Sequence, residues 1–97
     1  FISERNLFEL ELCSIHFLRV MPSQANYFLC EVLPPCSVGW LAMTMLKHYN
    51  ILIRECSDKE GFDGKQYIRI AVRNHEDNAK LVNAFKEIDE QCKQMMR

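Results

Sequence analysis

The sequence predicts an α+β two-layer sandwich: a small, mainly antiparallel sheet with helices on one face, in the order α-β-β-α-β-β-α. Three observations predict it. Apolar residues recur at helical spacing near the start, the middle and the end of the chain. Between them lie four short stretches rich in β-branched and aromatic residues. Pro, Gly, Asn and Asp punctuate the joins.

Residues 1 to about 17 read as the first helix. Phe1, Leu7, Phe8, Leu10, Leu12, Ile15 and Phe17 are dense for one face, so burial or a neighbour outside the chain is expected. Ser3, with Asn6 three residues on, suggests its N-cap. Leu18–Met21 is a short strand that ends at Pro22, which cannot donate to a ladder. Tyr27–Leu33 is a stronger strand that stops at Pro34-Pro35. The connection between these two strands is too short for a parallel crossover, so they should pair antiparallel.

Ser37 is placed to cap a second helix running through Tyr49, with Asn50 closing it. Met43 and Met45 read as core filler, and His48 as a histidine favoured by the helix C-terminus. Ile51–Arg54 is the third strand. Tyr67–Arg73 is the fourth, with Ile68, Ile70 and Val72 on one face and Tyr67, Arg69, Ala71 and Arg73 on the other. Asp58, Gly61, Asp63 and Gly64 form the loop between them. Asn74 caps the last helix, whose apolar stripe is Leu81, Val82, Phe85, Ile88 and Cys92. Lys80, Lys86, Glu87 and Glu90 face water, and the end from Lys93 onward frays.

Composition narrows the function classes. The 97 residues make a single domain with 48% hydrophobic residues and a net charge of −1. That balance gives no bulk attraction to nucleic acid or membrane, and no apolar run approaches the roughly 20 residues that span a bilayer. The chain begins at Phe1 without a methionine, which suggests a piece of a longer polypeptide. Five cysteines without paired spacing point to reduced, buried thiols in a cytoplasmic protein. No Cys-x-x-Cys or His-x-x-x-His spacing exists, so no metal site is expected.

The chemistry-bearing candidates are two arginines. Arg54 and Arg69 fall on strands that can pair as neighbours, and two guanidinium forks side by side suit a carboxylate or a phosphate. His16, His48 and His75 are scattered, the serines lack a nucleophile motif, and Gly61 with Gly64 reads as a flexible connection rather than a phosphate cradle. No catalytic residue is assigned.

The segments RVMPSQANYFLCEV, YNILIREC and YIRIAVRNHEDNAKLVNAF, in that order and spacing, resemble the C-terminal small domain of class I/II (fold-type I) pyridoxal-phosphate-dependent aminotransferases. The branch they resemble contains histidinol-phosphate aminotransferase and threonine-phosphate decarboxylase. The resemblance implies that residues 1–97 are one domain of a larger, usually dimeric enzyme. Pyridoxal 5′-phosphate would then be held by a large domain of the same polypeptide, and this part alone would bind no cofactor and be inactive. It implies that Arg69 binds the carboxylate or an equivalent anionic group of a small amino substrate, that Arg54 helps hold a phosphate, and that Asn26 lies at the substrate side. Glu55 departs from the aspartate often found after the first of these arginines. Transamination is the expected reaction. Phosphate-substrate decarboxylation and a non-catalytic small-ligand-binding module are the alternatives.

Overall fold

The computed structural model describes residues 3–22, 26–56 and 65–95. Its elements follow the expected order: α1 (Glu4–Cys13), β1 (Leu18–Val20), β2 (Tyr27–Val32), α2 (Val38–Tyr49), β3 (Arg54–Glu55), β4 (Tyr67–Ala71) and α3 (His75–Met95). The strands form one sheet in the order β1-β2-β4-β3, with every pair antiparallel.

Alternation along the strands divides the sheet into two faces. Phe28, Cys30 and Val32 of β2 point the same way as Ile68 and Ile70 of β4, and the register sets Phe28 opposite Ile70 and Cys30 opposite Ile68. This face meets Phe8 and Leu12 of α1, Leu41 and Met45 of α2, and Val82, Phe85 and Ile88 of α3 in one buried cluster. Edge-on aromatic pairs, Phe8 with Phe28 and Phe17 with Phe85, set how α1 and α3 sit on it. The other face carries Tyr27, Leu29 and Glu31 of β2 beside Ala71, Arg69 and Tyr67 of β4.

The caps account for most of the helix boundaries. Ser3 accepts from the Asn6 N–H, Ser37 from the Trp40 N–H, and Asn74 from the Asp77 N–H. Asn50 closes α2 in the left-handed conformation, φ 56° and ψ 36°. Asparagine tolerates that conformation, and the turn lets the N–H groups of Asn50 and Ile51 satisfy the carbonyls of Leu46 and Met45.

Several expectations are corrected. The first helix ends at Cys13, and Ile15 and Phe17 enter the core from the turn after it, because Ser14 folds back on Glu11. The third strand is only Arg54–Glu55. Leaving the left-handed turn, Ile51–Ile53 run beside the core without joining the ladder, with Ile53 buried and Leu52 83% exposed. Met45 fills the core as expected, but Met43 is 67% exposed. The cysteines are not uniformly buried: Cys30, Cys36 and Cys56 are, Cys92 is half-buried and Cys13 is exposed. α3 continues to Met95, and residues 96–97 lie outside the described residues. The loop residues Asp58, Gly61, Asp63 and Gly64 lie outside the described residues. Among the described residues no helix is long and apolar enough to cross a membrane.

Candidate functional site

The candidate site grows out of the shortest strand. Because β3 pairs for only two residues, the segment before it separates from β4 and leaves a groove along the β4 edge. The groove encloses about 780 Å³ and is lined by the end of α2, residues 50–54, β4 and the first turns of α3.

The two arginines singled out in the sequence meet here. Arg54 and Arg69 are directly opposite in the β3–β4 register, and both line the groove. Like charges directly across a ladder repel, and among the described residues neither guanidinium pairs with a carboxylate. Arg69 is held by a ring instead: its guanidinium carbon lies 3.9 Å from the centroid of Tyr27. That contact orients the guanidinium plane without neutralising it. By contrast, Arg19 on the same face is neutralised by Glu31, with Nε donating to a carboxylate oxygen at 2.7 Å. That bond also raises the pKa of Arg19.

Two further basic residues, whose part in the groove was not read from the sequence, also line it. Arg73 lies two residues beyond the end of β4, where the sequence predicts that the strand continues, and Lys80 follows on α3. The repeat of arginine at even spacing was the available signal for Arg73; nothing marked Lys80, which looked like any solvated helix residue. Among the described residues the lining thus contains four basic side chains and one acid, Asp77, which accepts from Arg73 Nε at 3.1 Å.

The backbone at Arg73 is fixed by a buried amide. Asn78, 2% exposed, accepts from the Arg73 N–H and donates to the Arg73 carbonyl at 3.0 and 2.9 Å. The same amide nitrogen donates to Glu4, whose other oxygen meets His75. These bonds, Asn78 foremost, lower the pKa of Glu4.

Asn26 occupies a different position from the arginines. Its carbonyl accepts from the Val72 N–H at 2.9 Å, so it closes the β2–β4 ladder at the Tyr27 end of the sheet. It is not among the residues that line the groove. The three histidines stay apart: His16 bonds Asp89, His75 bonds Glu4, and His48 borders a separate shallow cleft between α2 and α3. Among the described residues no cluster of His, Cys, Asp and Glu could hold a metal ion.

The donor set suits an anionic group: several guanidinium and ammonium donors, little carboxylate, and one ring to orient the chief fork. It does not suit pyridoxal phosphate, which needs an enclosed lysine for its carbonyl and a free carboxylate for its ring nitrogen. Lys80 is exposed, and Asp77 is already engaged by Arg73.

No protein-family model matches the chain. Individual proteins do. Over 71 residues it is 38% identical to the histidinol-phosphate aminotransferase of Methanococcus aeolicus, an alignment covering 73% of this chain and 19% of that protein. Over 88 residues it is 35% identical to an L-serine phosphate decarboxylase of Campylobacter jejuni, covering 91% of this chain and 22% of that protein. The crystal structure of the histidinol-phosphate aminotransferase from Clostridium acetobutylicum superposes with a TM-score of 0.82 at 32% identity, over 91% of this chain and 26% of that one.

The fold is therefore that of the small-domain region of a fold-type I aminotransferase. The chain matches a part of the histidinol-phosphate aminotransferase and phosphate decarboxylase family, whose members are pyridoxal-phosphate enzymes, and is consistent with their C-terminal small domain. It spans about a fifth of the length of these two curated relatives.

Proposed function

We propose that this chain is the C-terminal, substrate-orienting domain of a pyridoxal-phosphate-dependent aminotransferase that acts on an amino acid or a phosphorylated amine. The observation that carries the reading is the register that sets Arg54 opposite Arg69 at a groove with, among the described residues, four basic side chains and one acid. Arg69, steadied over Tyr27, presents its fork to the carboxylate or an equivalent anionic group. Arg54, across the ladder, takes a phosphate, and the bound anion relieves the repulsion between the two. Asn26 completes the substrate side beyond Tyr27.

The electron-withdrawing chemistry belongs to the cofactor, held by a large domain of the same polypeptide. The small domain contributes orientation and closure, and is inactive by itself. A homodimer in the cytoplasm is the assembly that goes with this reading.

Decarboxylation is the second reading. It is supported by the similarity to the L-serine phosphate decarboxylase, which at 35% identity over 91% of this chain is on a par with that to the aminotransferases. A third is a small module that only binds anionic ligands.

The test is to change Arg69→Lys and Arg54→Lys separately in the full polypeptide. Each should lower kcat/KM for a phosphorylated amino substrate at least tenfold, because a lysine cannot reproduce the two-pronged contact. Unchanged efficiency in both overturns the site. Product analysis, keto product against carbon dioxide, separates the first two readings. Submillimolar binding of a phosphorylated amine without turnover would favour the third.

A further inference from the structure

Cys36 and Cys92 face each other from different elements, 56 positions apart in sequence, with their Sγ atoms 3.4 Å apart. Cys36 sits between Pro35 and Ser37, the cap of α2, and Cys92 lies near the end of α3. We propose that these two thiols form a site of reversible oxidative modification, closing to a disulfide by exchange with a low-molecular-mass disulfide such as oxidised glutathione.

The geometry nearly provides the bond. A disulfide needs its sulfurs about 2 Å apart, so closing the pair requires the two to approach further from 3.4 Å. The two sulfurs differ in access, which sets the order of events. Cys92 is half-buried and open to a small reagent, whereas Cys36 is 8% exposed. Burial first, then the hydrogen bond to Cys92, pushes the Cys36 thiol up to about 12, so it stays protonated near neutral pH.

Cys92 is therefore the first nucleophile. Its thiolate attacks one sulfur of the reagent, forms a mixed disulfide and expels a thiolate. The expelled thiolate takes the Cys36 proton as Cys36 attacks the Cys92 sulfur, forming the Cys36–Cys92 bond and expelling the second thiolate, which is protonated by solvent. Two protein thiols are oxidised and one small disulfide is reduced to two thiols, so electrons and protons balance.

The closed pair would join the start of α2 to the end of α3. The groove lies at the other ends of both helices, so the modification leaves the arginines in place.

The test uses the intact polypeptide, incubated with oxidised glutathione in native buffer and in urea. It is then denatured, alkylated and peptide-mapped. In native buffer a Cys36–Cys92 cross-linked peptide is expected, with the other three of these five cysteines alkylated, and reversal by dithiothreitol. Cys36→Ser should trap glutathione on Cys92, and Cys92→Ser should leave Cys36 unmodified. The proposal is overturned if all five cysteines remain alkylatable, if other pairings dominate, or if the link forms as fast in urea as in the folded protein.

Discussion

Tyr27 and Phe28 are neighbours on β2, yet they belong to different parts of the molecule. Phe28 is fully buried, opposite Ile70, with the ring of Phe8 edge-on at 6.1 Å. Tyr27 points the other way and carries the Arg69 guanidinium. The same contrast runs across the sheet. One face has apolar residues from all three helices against it, while the other, among the described residues, has charge, one neutralised arginine and two arginines without a carboxylate. A two-residue repeat thus separates what holds the domain together from what it offers to a ligand. Substitutions on the two faces should fail in different assays.

The largest stability loss is expected from Phe28→Ala, about 3–5 kcal/mol in urea unfolding, because the helices cannot collapse into the space left. Asn78→Ala comes next, at about 1–3 kcal/mol, since it strands the N–H and carbonyl of Arg73 and a bond to Glu4. Tyr27→Ala should cost only about 1 kcal/mol of stability, the scale of one exposed cation–π contact and a partly buried ring. It should nevertheless weaken anion binding by releasing Arg69. Equal stability losses for Tyr27→Ala and Phe28→Ala would erase the distinction between the faces.

The smallest effect concerns acid. Glu4 is held below its ordinary pKa by Asn78 and then His75, so its contribution is complete above about pH 4.5, the unfolded value. It is lost as pH falls through the lower folded value. Glu4→Gln should therefore lower the neutral part of a stability–pH curve slightly, flatten that part of its acid limb, and leave the most acid end little changed.

The element order, the antiparallel pairing and the facing of β4 were all legible in the sequence, because period and capping residues are local signals. Ser37, Asn50 and Asn74 marked their helix ends correctly for that reason. Ile51–Ile53 looked like a strand because β-branched residues suit one, but whether a segment pairs depends on where its neighbour goes. The left-handed turn at Asn50 sends these residues past the core rather than along β4, and the groove exists because of it. Arg54 and Arg69 could be named in advance, yet their direct opposition is a matter of register. The placing of Lys80 beside them, and of Cys92 against Cys36, depends on how α3 lies across the sheet. Asn26 was chosen by resemblance, and its carbonyl bond to Val72 is a feature no local pattern shows.

The bond from Asn78 to Glu4 spans 74 positions, and Phe17 meets Phe85 across nearly as many. The first helix and the last are therefore each other's partners, and contacts of such long separation delay folding relative to a chain built from near neighbours. During synthesis the sheet emerges before α3 does, and Val82, Phe85 and Ile88 reach it last. Until then the inner face of β2 and β4 lacks the part of its cover that α3 supplies, and exposed apolar sheet is the kind of surface on which nascent chains associate with one another. Completion of α3 is thus the step that closes the apolar face.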